Sequence, residues 1–319
     1  MISRFLLLAI LLIACQPESK KVNMQLDHVS IPDVKIFQGM SFLGDSLVTQ
    51  VDSTSQKSQL EKLQLAEQAY EDEQSLGNLI WIGRREAYLG RYDLAIKTFS
   101  KAIKDFPEAY EPLRHRGHRY ISIRKLDEAI VDFEKAARLM EGIPIQLEED
   151  GLPNALNIPL SSVQFNVWYH LGLAHYLKAD YEKALLAYEQ CMQVSDNDDL
   201  IVATLDWYYM TLVKLNRLED ANQAISIVHS DMNIIENDAY YKRIQMYQGK
   251  LSPSDLMSRD TAADDQGLQY VTQGYGLGNY YLALGDTLMA KSIFQQVLDT
   301  GYWSAFGYIA SEMELTKLE

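Results

Sequence analysis

Ile82-Gly83-(x)₆-Gly90-Arg91-Tyr92-Asp93-Leu94-Ala95-Ile96-(x)₂-Phe99-(x)₂-Ala102 is followed by Arg116-Gly117-(x)₈-Leu126-Asp127-Glu128-Ala129-Ile130-(x)₂-Phe133-(x)₂-Ala136. The two superimpose at an offset of 34 residues, with Gly83 on Gly117, Ala95 on Ala129, Phe99 on Phe133 and Ala102 on Ala136. Self-similarity at this period identifies a stack of helical hairpins, in which each unit buries its apolar face against its neighbours. The glycine marks where the two helices of a hairpin touch, Ala95 is its partner on the second helix, and Tyr92 and Phe99 fill the gap between them. Ala102 lets the next hairpin approach, and Pro107 ends the helix.

The period extends in both directions. A second unit starts at Tyr110 and a third at Phe165, the latter with Trp168, Leu171, Gly172, Tyr181, Ala184 and Tyr188. Cys191 takes a small-residue place in the third unit, which reads as a buried small hydrophobe. A weaker copy runs from Val202 through Trp207, Leu218 and Ala221, and Ala239–Leu256 reads as a short degenerate hairpin. The last good copy runs from Val271 with Gly278, Tyr281, Ala290 and Phe294. Trp303–Leu318 reads as a capping helix, with Glu312, Glu314 and Lys317 expected on its polar outer face.

These positions resemble the tetratricopeptide repeat over most of residues 76–318. The resemblance implies an all-α solenoid of about five to six stacked antiparallel helical hairpins with a C-terminal capping helix. Strings such as Arg114-His115-Arg116-Gly117-His118-Arg119-Tyr120-Ile121 and Trp168-Tyr169-His170-Leu171-Gly172-Leu173-Ala174 also resemble a family of bacterial tetratricopeptide proteins. That likeness implies the fold and no particular ligand, since function lives in sites grafted onto folds.

The chain begins with Arg4 and the apolar run Phe5–Ile13, about half of what a membrane-spanning helix needs. The run closes in Leu12-Ile13-Ala14-Cys15, which resembles the lipobox of bacterial lipoproteins. The resemblance implies that residues 1–14 are a signal peptide and that Cys15 becomes a lipidated N-terminus. Several acyl chains make a stable anchor where one is marginal. Gln16, in place of an aspartate, implies the outer membrane, and the lack of an acidic cluster after Cys15 favours its periplasmic side. Residues 15–56 read as a lipidated tether and lead-in, with the apolar patch Ile36–Gly44 expected to dock on the solenoid of residues 57–319. With Cys15 lipidated, Cys191 has no disulfide partner, so stability rests on packing. The net charge of −15 repels phosphate backbones and argues against nucleic acid as a partner.

Three departures from the period carry the functional reading. The first is an insert at 140–163, a surplus of 21 residues between the second and third units. Its Gly142, Pro144, Gly151, Pro153 and Pro159 make turns rather than helix. It is either a solvated loop or a loop folded across the inner groove.

The second departure is charge. Residues 76–139 hold 13 Lys/Arg and 9 Asp/Glu, a net of +4 in an acidic chain. The basic residues crowd the first helices, which line the concave side. The candidate ligand-binding groove is Arg84, Tyr88, Arg114, His115, His118, Asn166, Tyr169, His170 and Tyr176. Arginine forks beside hydrogen-bonding aromatics suit a carboxylate or phosphate-like group. Alternatively the basic face is answered internally by Glu148, Glu149 and Asp150 of the insert.

The third departure is the pair Glu86 and Arg116, both at positions facing the packing between neighbouring first helices. They are expected to form a buried ion pair. His115, His118, His170 and His175 also lie on first helices of adjacent units. No cysteine or carboxylate completes a metal site at ligand spacing, so aromatic-packed or hydrogen-bonded histidines are expected.

No catalytic motif survives inspection. Gly274-Tyr275-Gly276-Leu277-Gly278 lacks the preceding strand that a phosphate-binding loop needs. The sequence thus reads as a non-enzymatic, membrane-anchored interaction module with no cofactor, taking a protein or peptide partner through a basic concave groove that would suit an acidic group on that partner. The alternative is a binding protein for a small anionic solute or glycan, with the insert as lid.

Overall fold

The computed structural model describes residues 34–51, 56–149, 154, 156–256 and 266–318. The leader 1–14, the lipidation candidate Cys15 and Asp150 lie outside the described residues.

The helices are α1 (Lys57–Asp72), α2 (Leu76–Tyr88), α3 (Tyr92–Asp105), α4 (Glu111–Ser122), α5 (Leu126–Leu139), α6 (Val163–Leu177), α7 (Tyr181–Gln193), α8 (Asp198–Lys214), α9 (Leu218–Ile225), α10 (Asp238–Tyr247), α11 (Pro253–Leu256), α12 (Gln266–Ala283), α13 (Thr287–Leu298) and α14 (Phe306–Leu318). They form an all-α stack of hairpins, α2–α3, α4–α5, α6–α7, α8–α9 and α12–α13, with a final helix. Local sequence sets the breaks. Ser75, Ser162 and Asn197 cap α2, α6 and α8 by accepting from the backbone N–H three residues on. Between the two helices of each hairpin one residue adopts positive φ: Gly90, Arg124, Ala179, Asn216 and Gly285 in turn. Only two of these are glycine, so the turn at Arg124 (φ +65°) carries backbone strain that its surroundings must hold.

The repeating contact inside each hairpin is a glycine against a ring. A Cβ added to Gly83, Gly117, Gly172 or Gly278 would stand 2.5, 2.7, 2.6 or 2.3 Å from Phe99, Phe133, Tyr188 or Phe294 respectively. The four rings are almost fully buried, as are Ala95, Ala129, Ala184 and Ala290 beside them. Cys191 is fully buried with its Sγ 3.3 Å from Thr204 Oγ1, and burial pushes its thiol up to about 12.

Two features lie beyond the repeat pattern. Residues 34–51 hold an antiparallel hairpin of β1 (Val34–Met40) and β2 (Ser46–Val51), where sequence had suggested only a docking patch. It rests on the helices through polar contacts. Thr49 Oγ1 donates to Gly90 O (2.9 Å), Asp93 N donates to Gln38 Oε1 (3.3 Å), and Trp303 Nε1 donates to Val48 O (3.0 Å).

The second feature is closure. Helix α14 packs on α12 and α13 and reaches back to α6. Arg124, at the turn between α4 and α5, donates two hydrogen bonds to Glu312 of α14, Nη2 to Oε1 at 2.7 Å and Nε to Oε2 at 3.0 Å. Their side chains are 3% and 1% exposed. Phe42 N, at the tip of the β-hairpin, also donates to Glu312. Glu314 is buried and pairs with Lys214 at 2.9 Å. The expected outer face of the cap is therefore corrected. Glu312 and Glu314 turn inward, because the stack curves until its last helix meets its second hairpin.

The Glu86–Arg116 ion pair is also corrected. Arg116 forks onto Asp132 of its own hairpin, Nε to Oδ2 and Nη2 to Oδ1, each at 2.7 Å, and donates to Ser100 Oγ at 2.9 Å. Asp132 was the nearer acceptor because its position on α5 faces α4 directly. Glu86 is left with a hydrogen bond from Thr98, and burial raises its pKa. A double-mutant cycle on Arg116 and Asp132 is expected to give a coupling of about 1–3 kcal/mol. The cycle on Arg116 and Glu86 should stay below about 0.5 kcal/mol, and the reverse ranking would refute the assignment.

Candidate functional site

Helices α2, α4 and α6 bring Arg84, Arg114, His115, His118 and Asn166 to one side, and the insert folds onto them. Its two limbs pair as a short antiparallel bridge at Leu147 and Ser162. This turns Glu148 inward, and its side chain is only 9% exposed. Arg114 Nε lies 3.0 Å from Glu148 Oε2, Asn166 Nδ2 donates to the same oxygen at 3.1 Å, and His115 Nε2 is 3.9 Å from Oε1. Arg84 Nη2 donates to the backbone oxygen of Glu149 at 2.6 Å. Glu148 thus neutralises Arg114 from within the chain. Arg84 meets only neutral acceptors, that carbonyl and the Tyr88 hydroxyl at 3.4 Å, and its guanidinium also covers the Trp81 ring at 4.3 Å.

The histidines pack as aromatic rings. His115 stacks on Phe99 at 5.3 Å, His118 meets His170 at 4.5 Å with the rings tilted by 34°, and both His118 and His170 meet Phe306 of α14 at 5.2 and 5.4 Å. Burial, followed by the nearby arginines, holds His115 and His118 well below the usual imidazole value and His170 at about 3. Among the described residues, no group of three or more His, Cys, Asp or Glu could hold a metal ion.

These shifts have a definite sign. Each imidazole is more basic in the unfolded chain, so the stability it contributes is complete above about pH 6.5 and is lost as pH falls toward its folded value. The slope is about 1.4 kcal/mol per pH unit for each such group. Histidine side-chain NMR at pH 5 is expected to show His115, His118 and His170 as neutral tautomers. Titration of His170 near pH 6.5 in the folded protein would contradict the packing.

The remaining groove candidates lie deeper. Tyr169 donates to Tyr240 Oη at 3.0 Å, and the Tyr176 and Tyr275 hydroxyls are 2.7 Å apart. Tyr169, His170 and Tyr176 are all buried. Closure by α10, α12 and α14 places them against other helices and off any open surface. Behind them a fully buried ion pair, Asp206 Oδ2 to Arg243 Nη2 at 2.9 Å, sits among Trp207, Tyr240 and Tyr275. Burial pushes the Asp206 carboxyl up to about 7, and that carboxylate in turn favours the charged form of Arg243.

Two adjoining cavities remain open. The smaller, about 200 Å³, is bounded by Arg84, Tyr88, Arg114, His115, His118, Arg119 and Glu148. The larger, about 600 Å³, lies where the closing helices face the first hairpins. Tyr92, His118, Arg119 and Ser122 form one wall, the 236–240 segment a second, Leu268–Thr272 a third, and Tyr302–Phe306 the floor. The 236–240 wall is fixed by Asp199, whose buried carboxylate accepts from the backbone N–H groups of Ile235, Glu236 and Asn237 at 2.8–2.9 Å.

His118 and Arg119 belong to both cavities. Arg119 lies 4.9 Å over the Tyr92 ring, and burial, opposed by the Tyr92 and Tyr88 hydroxyls, lowers its pKa. No carboxylate pairs with it among the described residues. Position rules had missed Arg119, since it falls off the usual inward stripe; its neighbourhood exists only because the stack closes. Among the described residues, no helix is long and apolar enough to cross a membrane.

Residues 78–109 and 165–198 each match the tetratricopeptide repeat, which puts the matches on the hairpins α2–α3 and α6–α7. No curated protein matches the chain. Among solved structures, a tetratricopeptide repeat protein from Parabacteroides merdae is 14% identical, covering 83% of this chain and 94% of that one at a TM-score of 0.48. YrrB, described as a tetratricopeptide protein with an unusual peptide-binding site, is 16% identical, covering 74% and 91% at a TM-score of 0.41. The complex of Naa15/Naa10 bound to HypK-THB is 14% identical, covering 77% and 35% at a TM-score of 0.36.

Proposed function

The chain carries tetratricopeptide repeats in a helical stack closed by its last helix, and we propose that it is a lipid-anchored interaction module of the bacterial outer membrane, facing the periplasm, that binds a protein or peptide partner on its concave side. The observation that carries this reading is the pair of adjoining cavities on that side, lined by Arg84, Tyr88, His118 and Arg119. Anchoring rests on the lipobox-like ending at Cys15. With the anchor outside the helical stack, the concave side stays free to receive a partner.

A small anionic solute or glycan under the insert fits less well. Glu148 already takes the place an anion would occupy beside Arg114, and the space left there is only about 200 Å³. Sites for drug-sized ligands run to roughly 300–1,000 Å³.

The test is affinity capture from detergent-solubilised membranes with the wild-type chain, Tyr88→Ala and Arg84→Gln as baits. The expected result is a partner retained by wild type and lost from both variants at unchanged melting temperature. A partner indifferent to both substitutions would remove the concave-side reading. Fractionation of Cys15→Ser is expected to move the protein from the membrane to the soluble fraction, and its retention in the membrane would remove the anchor.

A further inference from the structure

We propose that the outer edge of the insert, at Ile145 and Leu147, takes an extended segment of a partner protein as an added β-strand, the segment carrying apolar side chains at alternate positions and basic residues at its ends. This goes beyond the concave-side reading, since Ile143, Ile145 and Leu147 line neither cavity.

The side chains of the first limb alternate. Gln146 accepts from Tyr110 Oη at 2.6 Å and Glu148 pairs with Arg114, so both turn toward the helices. Ile143, Ile145 and Leu147 are instead 40%, 49% and 64% exposed. A period of two puts such a set on one face of an extended chain. The backbone alternates as well. Pro144 O accepts from Gln164 Nε2, and Gln146 N donates to Gln164 Oε1, at 2.9 and 3.0 Å. Val163 N donates to Gln146 O at 3.0 Å, and Glu148 N donates to Ser161 O at 2.9 Å. The even positions thus face the second limb and α6. Pro144 falls at one of them, so its missing N–H takes nothing from the opposite edge. Among the described residues, no hydrogen bond reaches the N–H or C=O of Ile145 or Leu147. An exposed apolar edge with unpaired backbone groups is a template for a further strand.

Charge decides between a second copy and another protein. The insert contains Glu141, Glu148, Glu149 and Asp150 and no Lys or Arg. Two arginines come to it, Arg114 at the Glu148 carboxylate and Arg84 at the Glu149 backbone oxygen. On the second limb Asn154 donates to Glu236, a further acid. The edge therefore keeps an acidic surplus. Two copies paired antiparallel about Ile145 would set Glu141 against Glu149, between chains that each carry a net charge of −15. A segment with lysine or arginine at its ends meets the same carboxylates favourably. Leu156 and Ile158 of the second limb, 60% and 46% exposed, add apolar surface to the insert.

The test is titration of the full-length protein with N-acetyl-Lys-Val-Thr-Val-Thr-Val-Lys-amide, followed by calorimetry and by amide hydrogen exchange. The expected result is saturable binding that slows exchange at Ile145 and Leu147 and leaves Gln146 and Glu148 unchanged. Backbone groups of alternate residues face the edge, so N-methylation of one alternate set should weaken binding about tenfold while the other set is tolerated. Replacing both lysines of the peptide by glutamate should also weaken binding about tenfold. Ile145→Pro removes one edge donor, leaves the inward bonds in place and should abolish binding at unchanged melting temperature; if it fails to fold, the N-methylated peptides decide the outcome. No binding by the lysine peptide, equal binding by both N-methylated forms, or protection elsewhere with none at Ile145 and Leu147 would overturn the proposal. Concentration-dependent dimers abolished by Ile145→Pro would overturn the partner as occupant and assign the edge to a second copy. Tyr88→Ala, which tests the concave side, is expected to leave peptide binding intact, so the two readings fail separately.

Discussion

Arg124→Ala is expected to destabilise the protein by about 3–5 kcal/mol, the usual cost of removing one partner of a buried ion pair. Glu312 would be left 1% exposed with only the distant Phe42 N–H (3.4 Å) to answer its charge. Typical domains hold about 5–15 kcal/mol in all, so the loss is a large part of the total. The damage should be directional. Arg124 joins the second hairpin to α14, so its loss releases the last helix while the Gly–ring contacts inside each hairpin stay intact. Hydrogen exchange should therefore accelerate first in α14 and the β-hairpin, with α4–α7 still protected. Arg124→Gly tests the same pair without imposing positive φ on a side chain, and should destabilise by about 1 kcal/mol less. Wild-type stability in either variant would contradict the role of closure.

Phe133→Ala is expected to cost about 3–5 kcal/mol, the range for deleting a buried phenylalanine ring. The ring is fully buried and fills the space opened by Gly117. The complementary change, Gly117→Ala, drives a methyl to 2.7 Å from the same ring and should cost about 1–3 kcal/mol, even though alanine favours helix by about 1 kcal/mol. The two sites share one volume, so they should not add. Phe133→Leu in the Gly117→Ala background is expected to recover part of the loss, which chemical denaturation of the four proteins would measure. Strict additivity would mean that the glycine and the ring do not occupy a common space.

The hairpin stack was legible because its signals are local and repeated. Gly83, Gly117, Gly172 and Gly278 each announce the ring that packs on them, and each ring lies on the next helix of the same hairpin. What the sequence could not announce was how far the stack curves. Arg124 and Glu312 are 188 positions apart and belong to no repeat, so nothing in the period pairs them. The same blindness put Glu312 and Glu314 on an outer face, whereas pairing Arg116 with Glu86 overlooked a local acceptor, Asp132 on the second helix of the same hairpin. In the groove, Arg84, Tyr88, Arg114, His115 and His118 do line one cavity. Tyr169, His170 and Tyr176 are set apart by helices that arrive from much later in the chain. Arg119 counts among the basic residues of the first helices but falls outside the groove candidates, for the related reason that its environment is assembled by closure.

The most direct measurement is the distance between spin labels on Lys125→Cys and Thr316→Cys in a Cys15→Ser background, read by pulsed electron resonance. Both positions are exposed, they flank the Arg124–Glu312 pair, and the native Cys191 is buried away from the label. Closure of the stack predicts one narrow, short distance in this protein, and a broad, longer one when Arg124→Ala is added. A broad, long distribution with Arg124 in place would show an open stack and contradict the closure on which the larger cavity depends.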